Sequence, residues 1–277
     1  KMHNHLIEKL DKFFEDWDGI KIFFGHLTAF EISPKTIELI NKKKILTLNV
    51  NLCEEGFNGI KYLNQNTGIK ELSNLFDLNW CYCDDVHVPK YIAENANIIY
   101  LGGGANPKIY KPLNIKKDID VLFIGHKWNK RIYTVNFLQK NGIKIKVLGR
   151  DWGPDKFLEV NKVNEYYNRS KIVLGSIGGH WPYSNILTDL KPRDFEIPMS
   201  GALYITLYNI ELRDYYELGK EIVCYYNNDD LLSLIKYYLN NEKEAEKIRI
   251  AAHKKAFANY KWEDRFQFIF KKLGIDI

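Results

Sequence analysis

Cysteine is scarce in this sequence: Cys53, Cys81, Cys83 and Cys224 are the only four, and they are unevenly placed. Cys81 and Cys83 alternate within NWCYC, so on a strand both would face the same side. A metal site would need further ligands and only His87 lies close, so the pair is read as small apolar side chains buried in a reducing compartment. Long hydrophobic runs are missing too. No stretch approaches the roughly 18 to 20 uninterrupted apolar residues of a membrane span. The opening KMHNHLIEKLDKFFEDW is amphipathic rather than a signal peptide, and the chain is read as cytoplasmic with no membrane span. Neither the dinucleotide fingerprint G-x-G-x-x-G opening a helix nor the P-loop G-K-S/T occurs, which argues against a Rossmann dehydrogenase. The second half has no Asp-x-Asp at a strand end to hold a metal, and the chain has no internal repeat and no low-complexity tract. Net charge is +5 and scattered, apart from NKKK at 41–44. Scattered charge permits a phosphorylated ligand or nucleic acid, and without a concentrated patch nucleic acid is the less favoured partner.

What the sequence does contain is an alternation. Its 277 residues, 45% hydrophobic and 27% charged, suit two folded domains without long disordered tails. From Gly19 onward short β-branched apolar runs alternate with helical patterns, as in parallel α/β architecture. The runs fall at 20–24, 45–50, 80–83 and 97–101, then at 120–125, 145–149, 171–175, 202–206 and 221–226. Two sets of strands imply two sheets, and the first set is abbreviated for a nucleotide-binding fold. In SPKTIELINKKK, Ser33 suits the N-cap and Pro34 the first helical position. The polar segment 106–118, with two prolines, marks a boundary. The pattern past residue 227 is helical, and a closing helix carries Trp262, Phe266, Phe270 and Leu273 at three- and four-residue spacing.

In an open α/β sheet ligands bind beyond the carboxyl ends of the strands, where a following helix offers unpaired N–H groups to phosphate. At FIGHKWNKR, Gly125 permits close backbone approach while Lys127, Lys130 and Arg131 add positive charge; a solvated helix face is the competing reading. VLGRDWGP ends a strand in Gly149 and presents Arg150 and Trp152, whose indole can stack on a base or pack under a loop. DLKPRDFEIPMSG puts Arg193 and Glu196 three apart on one side of a helix, just after Lys191. That spacing serves either a surface ion pair or a ligand. The glycine-rich loop GSIGGHWPYSNILTD before it and the buried strand after it suit a guanidinium on a diphosphate and a carboxylate on ribose hydroxyls. The three glycines of YLGGGANPKIY suit a backbone passing close to a ligand or swinging between domains. In the first half His26, Asn49, Glu54, Asp84, Asp85 and His87 lie at or just after strand ends, where a general base or acceptor ligands would sit; each also has a structural reading.

Together DVLFIGHKWNKR, IKVLGRDW, VNEYYNRSKIVLG, LKPRDFEIPMSGALYIT and YYELGKEIVCYYNNDDLLSLIKYYL, with a terminal KWEDRF helix, resemble the carboxyl-terminal half of CgeB-like glycosyltransferases. These are relatives of the group-1 enzymes with the GT-B fold. The resemblance runs over residues 78–270, and FEIPMSGALYIT is its most specific block. It implies two facing Rossmann-like domains with parallel sheets, one over 1–115 on the acceptor side and one over 116–259 holding a nucleoside-diphosphate sugar. The C-terminal helix, 260–277, would cross back to the first. The implied reaction is hexosyl or pentosyl transfer to a glycan, a protein side chain or a modified DNA base. Retention of anomeric configuration is implied, with no metal and no cofactor besides the sugar nucleotide. Carried over, Glu196 matches the ribose-binding glutamate, Arg193 and Lys191 lie near the diphosphate, and Gly125 and Arg131 match the glycine and arginine after the second domain's first strand. Where group-1 enzymes often have an earlier glutamate, this chain has Thr188. The residues expected to bind the donor are therefore Gly125, Lys127, Arg131, Gly149, Trp152, Lys191, Arg193 and Glu196, and those expected to act in the reaction are Arg193, Arg131, His26 and Asp84. A catalytically silent nucleotide-binding partner subunit is the alternative.

Overall fold

The computed structural model describes residues 2–51, 55–59, 61–62, 65–66, 68–82, 88–177 and 190–276. The chain divides into two compact units, Lys1–Gly102 with Phe266–Ile277, and Gly103–Arg265.

The strands of the first unit are β1 (Ile22–Gly25), β2 (Leu46–Asn51), a two-residue antiparallel pair β3 (Lys61–Tyr62) and β4 (Gln65–Asn66), β5 (Leu78–Cys81) and β6 (Ile98–Tyr100). Its helices are α1 (Met2–Phe13), α2 (Pro34–Lys42), α3 (Glu55–Asn58) and α4 (Val88–Ala93). Four of the strands form the expected parallel sheet in the order β1-β2-β5-β6, and the small β3–β4 pair was not anticipated. Strand β5 starts two residues ahead of the apolar run because a polar residue joins the ladder. Asn79 is buried, and its amide nitrogen donates to the carbonyls of Ser73 at 2.7 Å and Asn97 at 3.1 Å, while its Oδ1 has no hydrogen-bond partner among the described residues. Helix α2 begins as its sequence predicts, with the Ser33 hydroxyl accepting the Thr36 N–H at 3.3 Å and Pro34 in the first turn. Its Ile37 and Ile40 enter a core with Leu72, Phe76 and Tyr91, against which Leu6, Ile7 and Leu10 of α1 pack. Within the same unit Phe266 meets Trp80 and Phe24 edge-on, with centroids 5.9 and 6.0 Å apart.

The second unit carries β7 (Ile119–Ile124), β8 (Ile145–Leu148), β9 (Ser170–Leu174), β10 (Tyr204–Leu207) and β11 (Val223–Tyr225), all parallel, in the order β11-β10-β9-β7-β8. Helices α5 (Asn129–Lys140), α6 (Val163–Arg169), α7 (Arg193–Met199), α8 (Asn228–Asn240) and α9 (Glu242–Asn259) connect and cover them, and α10 (Trp262–Lys272) follows. The strands are apolar runs rather than alternating ones, as a parallel sheet covered on both faces requires. Val121, Leu122 and Phe123 of β7 are all fully buried. The winding reverses between β7 and β9, since β8 lies on one side of β7 and the later strands follow on the other. A reversal of this kind opens a crevice at the carboxyl ends of the two central strands.

Two sequence expectations change here. The glycines at 102–104 do allow a close approach, but the neighbour of Gly104 is the chain itself: a Cβ there would stand 2.9 Å from the Tyr260 carbonyl oxygen, beside the bridge from Ala105 to Lys261. Of the expected stripe, Trp262, Phe266 and Phe270 on α10 and Leu273 just past its end are half-buried, whereas the fully buried residue of the helix is Ile269. No described helix is long and apolar enough to cross a membrane.

Candidate functional site

The carboxyl ends of β7 and β9 are joined by one side chain. The Arg193 Nη1 donates to the Ile124 carbonyl at 3.2 Å and to the Gly175 carbonyl at 3.3 Å, so the guanidinium straddles the reversal point of the sheet. Helix α7 holds it there because nearly all of that helix is buried: of its seven residues only Arg193 and Glu196 are not. Phe195 is fully buried, edge-on to Tyr215 and Tyr260 at 5.3 and 5.6 Å, and a buried side chain of that size stabilises by about 1.5 to 3 kcal/mol. Pro198 cannot donate to the carbonyl four residues earlier, and the Asp194 carbonyl accepts the Tyr216 hydroxyl instead, at 2.9 Å.

Asp194 secures the entry to α7. One carboxylate oxygen accepts the Lys191 N–H at 2.6 Å and the other the Tyr204 hydroxyl of β10. Burial holds its carboxyl above the usual range, against the lowering effect of those two hydrogen bonds. The sequence reading passed over Asp194. Its signal was an acid three residues after Lys191 at a helix start, the reach-back position of a capping box. Gly175 was missed as well. A Cβ on it would stand 2.3 Å from the Tyr204 hydroxyl and 2.6 Å from that of Thr206, so only glycine leaves Tyr204 its place.

Arg193 and Glu196 do not pair with each other, which disposes of the ion-pair reading of their spacing. Burial raises the pKa of Glu196, opposed by the nearby Tyr110 hydroxyl and by the charge of Arg193. Arg131, in the first turn of α5, donates to the His126 carbonyl at 3.0 Å and lies over the Phe123 ring at 5.6 Å. Its pKa is pushed down to about 10, first by burial and then by Arg193. Two guanidiniums thus repel each other at the sheet's reversal point. Among the described residues neither has a carboxylate within ion-pair distance. An anion between them relieves that repulsion.

Most of the other expected donor residues adjoin this place through β8. Gly149 has φ +126°, and a Cβ on it would lie 2.3 Å from the Gly125 carbonyl oxygen, which explains a glycine at that strand end. The Gly125 N–H donates to Leu148 at 2.9 Å and the Lys127 N–H to Arg150 at 3.2 Å. Trp152 donates its indole N–H to the Gly125 carbonyl at 2.8 Å, meets Phe123 edge-on, and receives the Lys127 ammonium 5.9 Å above its ring. Lys191 is half-buried at the entry to α7. His26 belongs to the first unit, past the end of β1, with Nδ1 2.8 Å from the Val50 carbonyl oxygen. Asn49 lies inside β2 rather than past it, and its Oδ1 accepts the Leu27 N–H at 2.8 Å. Asp84, Glu54, Asp85, His87, Thr188 and the loop at 178–189 lie outside the described residues.

Residues 130–271 match the sequence profile of a family described as glycosyl transferase-like. No curated protein matches the sequence. Among solved structures, sucrose-phosphate synthase from Thermosynechococcus elongatus superposes with a TM-score of 0.65 at 10% identity, covering 97% of this chain and 77% of that one. A glycosyltransferase from Rickettsia africae gives 0.64 at 14% identity, over 99% of this chain and 81% of its own. HepE of Anabaena, solved in complex with UDP, gives 0.64 at 10% identity, over 97% and 82%. The α/β fold with two parallel sheets is that of GT-B glycosyltransferases.

Proposed function

The chain belongs to the glycosyl transferase-like family, and from that premise we propose that it moves a sugar from a nucleoside-diphosphate donor, a UDP-sugar by preference, to an acceptor. Support for a nucleoside diphosphate comes above all from the Arg131–Arg193 pair, two guanidiniums without a carboxylate partner among the described residues at the reversal point of the second sheet. UDP is preferred because HepE was solved with UDP and with UDP-glucose. Within the family we place the chain with the CgeB-like members, on its FEIPMSGALYIT block.

In the transfer the bond between the sugar C1 and the β-phosphate oxygen breaks, and its electron pair stays on the phosphate. The acceptor oxygen forms the new bond to C1 and releases its proton. Negative charge grows on the departing phosphate, where the Arg193 and Arg131 guanidiniums and the amide groups at the start of α5 stabilise it more than they stabilise the bound donor. Glu196 accepts the ribose hydroxyls and fixes the register of the donor. The guanidiniums supply the charge compensation that a divalent cation would otherwise give, so we propose a metal-independent transfer. Retention of configuration is adopted from the family resemblance. On the acceptor side His26 and Asp84 are the candidate acid–base groups, and the acceptor is a glycan, a protein side chain or a modified base.

A panel of nucleotide sugars, assayed for release of nucleoside diphosphate with and without EDTA, tests this. Turnover that survives EDTA is expected. Binding of nucleotide without turnover of any donor would favour a silent partner subunit instead, and loss of activity in EDTA would remove the metal-independent step.

A further inference from the structure

Past the carboxyl ends of β10 and β11 stand two tyrosines, Tyr208 directly after Leu207 and Tyr226 directly after Tyr225. The two strands are parallel neighbours, so their ends lie side by side and the rings stack, with centroids 4.9 Å apart and planes at 29°. Both backbones are pinned: the Tyr208 N–H donates to the Tyr225 carbonyl at 2.8 Å, and the Tyr226 N–H to the Asp230 carboxylate at 3.0 Å. Asp230 is fixed in turn by the cap of α8, where the Asn227 Oδ1 accepts its N–H at 2.9 Å. An apolar side chain just ahead of an N-cap commonly packs on the fourth helical residue, here Leu231. Leu231 is fully buried while Tyr226 is 69% exposed, so the ring is not used in that way. Tyr208 is half-buried beside it. Among the described residues neither hydroxyl has a hydrogen-bond partner. A rigid aromatic face is thus left in solvent on the same edge of the second sheet as Arg193, whose bonds reach the ends of β7 and β9.

We propose that the Tyr208–Tyr226 pair is a saccharide platform, on which a sugar ring of a neutral glycan acceptor stacks during transfer. This rests on the glycosyl transfer proposed above and narrows its acceptor from three classes to one. A pyranose has a face of C–H groups rimmed by hydroxyls. The C–H face fits the negative face of an aromatic ring, and the hydroxyls find partners at its edge. Tyr208 covers one face of Tyr226 and leaves the other open, and each phenol offers a donor and an acceptor. Because the rings are already stacked and their backbones held, binding orders little that was free. A nucleic-acid base could stack on the same ring, but the charge around it disfavours one. Segments 208–213 and 226–230 carry the acids Glu211, Asp229 and Asp230 against the single cation Arg213, whereas a nucleic-acid site gathers cations along the phosphate backbone. The place also suits a glycan of several units. At about 4.8 Å between strands, the end of β11 lies roughly 10 Å from that of β9, a span that the units behind the reactive end of a glycan can cover.

The test is binding of the full chain to an array of neutral oligosaccharides, followed by calorimetry with the best-bound member, with a single-stranded oligodeoxynucleotide and with UDP. Wild type should bind at least one oligosaccharide and leave the oligodeoxynucleotide unbound. Tyr226→Ala should weaken the oligosaccharide about tenfold, the worth of one stacked ring. Tyr226→Phe should keep most of the affinity, and both variants should bind UDP as wild type does. The bound oligosaccharide should also take up sugar from a nucleotide-sugar panel, with its KM raised by the same factor in Tyr226→Ala. An array on which a folded wild type binds nothing overturns the proposal, and so does a Tyr226→Ala protein that binds the oligosaccharide as tightly as wild type. Oligodeoxynucleotide binding that Tyr226→Ala abolishes overturns it in favour of a nucleic-acid acceptor. A bound oligosaccharide that is never glycosylated by a chain that turns over its donor overturns the acceptor role. Saccharide binding through Tyr226 in a chain that binds no UDP would instead overturn the donor reading and leave the platform standing.

Discussion

Arg193→Ala removes the side chain that bridges the ends of β7 and β9, and its consequences for folding and for turnover should separate. The two hydrogen bonds it makes are long, 3.2 and 3.3 Å, and their acceptors are strand-end carbonyls. At about 0.5 to 1.5 kcal/mol net for each, and with water able to replace the guanidinium, the folding cost stays near or below 2 kcal/mol. The chemical cost is larger. A fixed donor removed from developing negative charge costs roughly 3 to 4 kcal/mol, or about 10² to 10³ in kcat. A lysine keeps the charge but not the planar fork, so Arg193→Lys should remain roughly tenfold below wild type. The assay is initial-rate release of nucleoside diphosphate across donor concentrations, beside a thermal melt of each variant. Wild-type kcat/KM in a folded Arg193→Ala protein would refute the reasoning, because no charge stabilisation could then be assigned to the bridge.

Three further outcomes follow from particular contacts. Asp194 is buried with its pKa raised, so the folded chain keeps a proton that the unfolded chain gives up. The stability this contributes is complete below the unfolded value of about 3.9 and is lost as pH rises through the higher folded value. Asp194→Asn should remove that part of the slope in urea unfolding followed against pH; an unchanged slope would contradict the assignment. Gly149→Ala forces a Cβ to 2.3 Å from the Gly125 carbonyl oxygen at a backbone angle that L residues avoid. The melt should register roughly 2 to 4 kcal/mol of destabilisation, and a wild-type melting temperature would show that the strand ends can move apart. Trp152→Phe separates the two readings of that indole: packing under β7 predicts about 1 kcal/mol lost with the hydrogen bond to Gly125 and unchanged UDP affinity, whereas a clear loss of affinity would favour base stacking.

The second sheet was legible in the sequence because its strands are largely apolar, and the five runs fall within two residues of the observed strands. At the start of β5 the boundary slipped on a buried polar residue: Asn79 reads as a turn former until the carbonyls that accept its amide nitrogen are known. Ala202 and Leu203 are fully buried, yet β10 starts only at Tyr204, since burial and ladder pairing are separate properties. The grouping of the site was legible only in part. Glu196 and Arg193 stood out by charge against an apolar run, and Arg131 by its place after a strand. That Arg131 and Arg193 come to the same end of the second sheet follows from the strand order, which local pattern does not encode. Tyr204 was invisible because a tyrosine in apolar surroundings looks like core, and its hydroxyl partner Asp194 lies on another element.

The most direct test of the account is a crystal structure of the chain with UDP. The diphosphate is predicted within hydrogen-bonding distance of Arg193 and Arg131 at the ends of β7 and β9, with the ribose hydroxyls on Glu196. UDP bound away from that edge of the second sheet, or with its ribose remote from Glu196, would contradict it.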